Sequence, residues 1–185
     1  PANFNGRAVP YIAHVALGGS TNGTTWRTLG HTRGGPSKEE KEHFETVIAP
    51  DLNPYRPEVR EYILAGFEQK VRETVPYGVS VWSLGDECGY SDSVGFGEKS
   101  RVYFDDFLKY KYGTIAKFNE VHGTACKDFP EVPHKTVQQS VKDADWASWY
   151  DQVQYSEKMY SDLYQMLSKA IKKYDPKARV GAEGS

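Results

Sequence analysis

The chain has 185 residues, with 23 basic and 25 acidic side chains and a formal net charge of -2 at pH 7. This length and an ordinary hydrophobic share predict a folded domain with a sizeable core. No run of Lys or Arg is long enough to follow a phosphate backbone, so the sequence lacks the basic pattern that is typical of nucleic-acid-binding proteins. No stretch approaches the roughly 18 consecutive apolar residues of a membrane span. We therefore expect neither nucleic acid nor a membrane as a partner.

Cysteine usage and the chain ends carry further information. Cys88 and Cys126 fit neither a closely spaced zinc motif nor a disulfide framework, so we predict no metal and no other cofactor. The first residues contain neither an initiator Met nor the regions of a signal peptide, and the last ones begin as a strand without a following element. We expect an excerpt that is truncated at both ends, from which localisation cannot be read.

The N-terminal part is predicted to hold one strand and a long polar segment. Residues 8–17 read as a strand that two glycines end. The polar segment continues to about residue 53 and carries Trp26 and His31. Such a mixture is equally compatible with the lining of a polar pocket and with a solvated loop. Ser37 and Glu40 have the spacing of a capping box that would open a short helix.

The rest of the chain alternates between predicted helices and strands. Apolar residues recur at helical spacing in four segments, which predicts helices at 58–73, 101–110, 115–119 and 145–174. Strand-forming residues cluster in two others, which predicts strands at 79–84 and from about 178. The last helix is expected to bury an aromatic stripe that includes Trp146, Trp149 and Tyr150. Residues 128–142, with two prolines and few apolar residues, are expected to form an exposed loop.

This order of elements predicts an α/β fold with parallel crossovers. Three strands cannot close a barrel, so they form either an arc of one or part of an open doubly wound sheet. No glycine-rich phosphate loop follows a strand, which disfavours a nucleotide-binding sheet.

The most informative stretch is a strand that runs directly into two adjacent carboxylates. It reads Trp82-Ser83-Leu84-Gly85-Asp86-Glu87. Carboxylates at the carboxyl ends of strands are typical of α/β-barrel active sites, whereas a solvated turn or a helix N-cap is the structural alternative. Because side chains alternate along a strand, Glu87 and Asp86 lie on opposite faces and are expected to have different roles. Trp82 is expected to pack behind the strand.

Several segments resemble the glycoside hydrolase family 42 β-galactosidases, which are (β/α)8 barrels. Residues 82–87 are similar to that family's Trp-Gln-x-Asp-Asn-Glu segment. A more specific similarity is to Phe-x-x-Trp-Leu-x-x-x-Tyr-Gly-Thr-Ile-x-x-Leu-Asn-x-x-Trp-Gly-Thr. This chain reads Phe104-x-x-Phe107-Leu108-x-x-x-Tyr112-Gly113-Thr114-Ile115-x-x-x-Asn119-x-x-x-Gly123-Thr124. Together with Asn53-Pro54-x-Arg56 and Asp145-Trp146, the resemblance spans roughly residues 45–182.

The resemblance implies a partial (β/α)8 TIM barrel, with residues 1–185 as one fragment that contributes about strands 3 to 5 and their helices. It implies that Glu87 is the general acid/base of a retaining β-glycosidase and that Asp86 contacts the substrate. Trp26 and His31, in the polar segment that precedes the resemblance, are further substrate-binding candidates by their residue types. The partners implied are a carbohydrate substrate and the remainder of the barrel. The nucleophile would lie on a later strand, so we expect the 185 residues alone to be inactive.

Departures from the family pattern favour a remote member. Asp86 stands where the family has Asn, and Gly85 stands where it has Asp. Phe107 and His122 occupy the positions of two Trp residues. The alternative function is therefore a carbohydrate-binding barrel that has lost its activity.

Overall fold

The computed structural model describes residues 11–14, 38–48, 50–86 and 95–183. This part of the chain is mostly helical and contains a small parallel sheet. The strands are β1 (Tyr11–His14), β2 (Val79–Asp86) and β3 (Val180–Glu183). The helices are α1 (Lys38–His43), α2 (Pro57–Thr74), α3 (Arg101–Tyr112), α4 (Ile115–His122), α5 (Val137–Lys142) and α6 (Trp146–Tyr174). The predicted α/β class with parallel strands is thus confirmed, and the three strands fit an arc of a barrel and an open sheet alike.

The strand order is β1-β2-β3, with β2 in the centre. In the parallel register, Tyr11 of β1 lies opposite Val79, and Asp86 at the end of β2 lies opposite Glu183. Parallel strands need crossover connections, which the helical segments between them supply. The carboxyl ends of all three strands therefore meet at one edge of the sheet.

A hydrophobic core fills the space between β2 and helices α2 and α6. Trp82 and Leu84 of β2 are buried in it. The helices contribute buried residues at intervals of three or four, which are Val59, Ile63, Phe67 and Val71 from α2 and Leu163, Leu167, Ala170 and Ile171 from α6. This spacing places the apolar side chains of each helix on one face.

A second apolar cluster joins α3, α4 and the first half of α6. Its buried members are Phe104, Phe107, Leu108, Phe118, Phe129, Val132 and Tyr155. The 29 residues of α6 reach both clusters, because a helix of this length spans about 43 Å.

The predicted loop at 128–142 is wrong in part. Phe129–Glu131 form a turn of 3-10 helix, and Phe129 and Val132 are buried in the second cluster. Thr136 and Gln139 form a capping box that begins α5. The two prolines obscured these short elements, since proline is well tolerated in the first turn of a helix.

The segment predicted as polar up to residue 53 also contains more structure than expected. The short helix predicted there is confirmed as α1, and a π-helical turn at Phe44–Ile48 continues it. Phe44 and Ile48 are buried against the first core cluster. Phe44 packs on Tyr62 of α2 with ring centroids 5.6 Å apart, a contact that local periodicity does not signal.

The predicted aromatic stripe on α6 is wrong at its N-terminal end. Trp146 and Tyr150 are 61% and 52% exposed, whereas Tyr155 and Met159 are fully buried. The N-terminal half of α6 packs on the second cluster, and the C-terminal half packs on the core beneath the sheet. These contacts lie on different sides of the helix, so the two halves of α6 do not bury the same face.

Candidate active site

The carboxyl edge of the sheet is where β2 ends, one residue before the candidate acid/base Glu87 in the sequence. The backbone of Asp86 closes β2, next to the end of β3 at Glu183. Glu87 follows immediately in the chain but lies outside the described residues, as do Trp26 and His31.

The two faces of β2 are fixed by its buried side chains. Trp82 is fully buried on the helical side, where its indole Nε1 donates a hydrogen bond to Asp175 Oδ2 at 2.9 Å. This confirms that Trp82 packs behind the strand. Ser83 is also buried, and its hydroxyl has no hydrogen-bond partner within the described part of the chain. Alternation places Ser83 on the opposite face from Trp82, so that face carries a buried polar group.

A buried polar cluster holds the chain where it returns after residue 94. The Ser100 hydroxyl donates to Asp51, with distances of 2.7 and 2.6 Å to its two carboxylate oxygens. Arg56 Nη1 donates to the Asp51 carbonyl oxygen at 2.5 Å, and its guanidinium also approaches the Asp51 carboxylate at 3.8 Å. A Cβ on Gly97 would overlap the Asp51 carboxylate, so only glycine permits this close approach. We call Asp51, Arg56, Gly97 and Ser100 the buried clamp.

A second contact supports the same return segment. Asn53 Nδ2 donates to the Tyr155 hydroxyl at 3.1 Å, and both side chains are fully buried. Gly95 adopts a φ of 88°, and a Cβ there would lie 3.2 Å from the Tyr155 ring. Burial raises the pKa of Tyr155 well above its ordinary value, so its hydroxyl stays neutral. β2 thus ends at Asp86, and the described chain resumes at Gly95 on a buried scaffold.

His134 packs directly against this scaffold. Its ring is stacked between Phe96 and Phe104, with centroid distances of 3.9 and 4.0 Å. Its Nε2 lies 3.1 Å from Gln152 Oε1. Burial lowers the pKa of His134 to about 4, so the ring is neutral at physiological pH.

The segment that forms β2, the buried clamp and α6 is similar to a known protein family. A family model described as Beta-galactosidase, of glycoside hydrolase family 42, matches residues 42–183. The matched range covers more than three quarters of the chain and includes Asp86 and Glu87. The chain belongs to glycoside hydrolase family 42. At the level of the family, it is therefore a β-galactosidase-like glycosidase chain.

The family 42 match begins after Trp26 and His31, so these two candidates lie outside the matched range. No curated protein matches the chain significantly.

In this family 42 chain, the motif at residues 104–124 builds turns and caps. Thr114 caps the N-terminus of α4 by accepting from the Lys117 amide, and Gly123 ends the helix in the left-handed region at a φ of 64°. Asn119 Nδ2 donates to the Cys126 carbonyl at 2.8 Å, and Asn119 Oδ1 accepts from the Cys126 amide at 3.0 Å. The most specific part of the resemblance is thus a structural device rather than catalytic machinery.

His122, which occupies a family Trp position, lies in a buried ionic network. Its Nε2 lies 3.0 Å from Asp151, which also accepts hydrogen bonds from Lys111 Nζ at 2.6 Å and the Tyr112 hydroxyl at 2.7 Å. Burial acts to raise the pKa of Asp151, but the hydrogen bonds from His122, Lys111 and Tyr112 hold it below its ordinary value. This packing gives His122 a structural role.

Sequence reasoning did not find the buried clamp. Asp51 and Ser100 lie 49 residues apart and carry no local motif. The Asn53-Pro54-x-Arg56 entry was the only signal nearby, since it included Arg56. Among the described residues, no group of His, Cys, Asp and Glu could hold a metal ion. None of the helices in the described ranges is long and apolar enough to cross a membrane.

Proposed function

We propose that this chain carries the acid/base half of the active site of a retaining β-galactosidase-like glycosidase, with Glu87 as the general acid/base. The observation that carries the proposal is the position of Glu87 in a family 42 chain. It follows directly after the central strand of a parallel sheet, whose carboxyl end lies beside the end of β3. In α/β barrels, catalytic residues come from this edge.

The proposed reaction is the hydrolysis of a terminal sugar from an oligo- or polysaccharide in two displacements. In the first, the nucleophile carboxylate attacks the anomeric carbon while protonated Glu87 donates its proton to the departing glycosidic oxygen. This leaves a covalent glycosyl-enzyme. In the second, ionised Glu87 removes a proton from water while the water oxygen attacks the anomeric carbon. The bond to the nucleophile carboxylate breaks, and the sugar is released with its configuration retained.

The remaining parts of the site follow from the same assignment. Asp86 contacts the substrate, and its carboxylate accepts hydrogen bonds from sugar hydroxyls where the family's Asn would also donate. We further propose that the three strands form an arc of a (β/α)8 barrel, completed by strands beyond this chain. One of those strands supplies the nucleophile about 5 to 5.5 Å from Glu87, as retention requires.

The test is hydrolysis of a panel of aryl β-glycosides by the full-length protein and its Glu87→Gln variant. We expect turnover of the best p-nitrophenyl glycoside to fall about 100- to 10,000-fold in the variant, because proton donation is lost. For a dinitrophenyl glycoside of the same sugar, the variant should lose less of the rate of the first displacement, since this leaving group needs little protonation. With Glu87→Ala, added azide should restore turnover by attacking the glycosyl-enzyme without a general base.

Glu157→Gln is the matched control, because Glu157 is an exposed carboxylate on α6. It should retain the parent's activity. Undiminished turnover by Glu87→Gln would contradict the acid/base assignment. A parent protein that hydrolyses none of the glycosides yet binds sugar would instead favour the non-catalytic carbohydrate-binding barrel.

A further inference from the structure

A long groove runs along α6, formed by helices rather than by strand ends. Its first cleft lies between α2 and α6 and has a volume of about 510 Å³. Its second cleft lies between α3 and α6 and has a volume of about 410 Å³. Tyr55 and Asp162 line both clefts, so the two volumes adjoin at this pair.

Aromatic rings dominate the second cleft. Five of its eight lining residues are aromatic, and they include Tyr55, Tyr103 and Tyr110. Tyr110 is 82% exposed. The rings of Tyr55 and Tyr103 are 5.8 Å apart and tilted by 40°. Such rings offer flat apolar faces with a hydrogen-bonding hydroxyl at the end.

Both carboxylates that line this cleft are paired with lysines. Asp162 is paired with Lys158 at 2.8 Å, and Asp106 is paired with Lys109 at 3.5 Å. The Tyr55 hydroxyl donates to Asp162 at 2.6 Å. Burial acts to raise the pKa of Asp162, but hydrogen bonds from Lys158 and Tyr55 hold it below its ordinary value, so it stays an acceptor. A cleft with paired charges favours a neutral ligand that can satisfy many hydrogen bonds.

We infer that this groove binds a neutral oligosaccharide, with sugar rings stacked against Tyr103 and Tyr110 and sugar hydroxyls bonded to the carboxylates and lysine of the rim. A sugar ring combines an apolar face with peripheral hydroxyls, which matches aromatic walls bordered by Asp106, Lys158 and Asp162. Each cleft has the volume of a small-molecule site, and the continuity of the two suits an extended chain. The choice of carbohydrate rests on the proposed glycosidase function.

The test is electrophoresis of the full-length protein through gels that contain soluble galactan, arabinogalactan or hydroxyethyl cellulose. The Glu87→Gln background keeps the polymers intact. We expect retardation by at least one polymer and about tenfold weaker binding after Tyr110→Ala or Tyr103→Ala, as the loss of a stacking surface predicts. Tyr77→Ala is the matched control, because Tyr77 is 56% exposed and lines neither cleft.

Aryl β-galactoside hydrolysis and the melting temperature are measured for the same tyrosine variants with Glu87 intact. Hydrolysis by both variants and the melting temperature of Tyr110→Ala should equal those of the parent. Tyr103→Ala should melt at a lower temperature, because the Tyr103 ring packs on Tyr55 and on the second cluster. No retardation by any polymer, or equal retardation of the tyrosine variants and the parent, would overturn the inference. A change of oligomeric state in these variants would assign the groove to a second copy of the chain and would also overturn it.

The two proposals fail separately. A protein that hydrolyses the aryl galactoside but is not retarded refutes the groove alone. A protein that is retarded through Tyr103 and Tyr110 but hydrolyses no glycoside refutes the proposed reaction alone.

Discussion

Burial between two phenylalanine rings keeps His134 neutral, and the stability of the fold therefore depends on pH. The stacked rings of Phe96 and Phe104 exclude water from both faces of the imidazole. Protonation would place a charge in this apolar sandwich, which is why the pKa falls from an ordinary 6.5 to about 4. Between pH 6.5 and 4, the His134 ring therefore binds a proton more weakly in the folded state than in the unfolded chain.

We predict that the protein loses stability as the pH falls from about 6.5 to 4. Above pH 6.5 His134 is neutral in both states, whereas below it the unfolded chain binds the extra proton, so the free energy of unfolding falls by at most about 3 kcal/mol. Urea denaturation at several pH values would measure this. His134→Phe should have a shallower pH dependence over this range, and His43→Gln, at an exposed histidine, should keep the parent's. Equal slopes for the parent and His134→Phe would refute the prediction.

At the scale of an element, α6 shows how one helix serves two cores. Its C-terminal half packs Leu163 and Leu167 against the sheet and α2. Its N-terminal half turns Tyr155 toward α3, and Trp146 remains exposed. Aromatic content therefore does not identify the buried face of this helix.

We predict that Met159→Ala lowers the free energy of unfolding by about 2–5 kcal/mol, because it leaves a cavity at a fully buried position. Trp146→Ala should change it by less than about 0.5 kcal/mol, since the larger side chain lies mostly in water. Chemical denaturation of the two variants beside the parent provides the comparison. A larger loss for Trp146→Ala would show that the indole is buried in solution.

At the scale of the whole molecule, the buried clamp joins segments that are distant in the chain. Asp51 lies just before α2 in the chain, whereas Gly97 and Ser100 lie after β2 and just before α3. The Asp51 carboxylate occupies the space where a Cβ on residue 97 would lie. The clamp thereby fixes where the chain resumes after the candidate acid/base segment.

We predict that Gly97→Ala lowers the free energy of unfolding by about 1–3 kcal/mol, because the added methyl group must displace Asp51 or the backbone of the return segment. Gly181→Ala is the control, since a Cβ there meets nothing within 4 Å. Thermal or urea unfolding of both variants would measure the difference. Comparable stability of the two would contradict the packing of the clamp.

The sequence by itself determined the order of the main helices and strands, the family and the candidate acid/base residue. The main helices and β2 follow from local features, such as the apolar spacing of α2 and Pro57 in its first turn. Glu87 followed from its place after a strand and from the resemblance, both of which are legible in consecutive residues.

Only the tertiary structure decided which face of α6 is buried, why residue 97 is a glycine, and which rings surround His134. It also brought Tyr55, Tyr103 and Asp162 together in one groove. The physical reason is the same in each case. These properties depend on contacts between residues tens of positions apart, whereas periodicity, capping and motif spacing report only on neighbours along the chain.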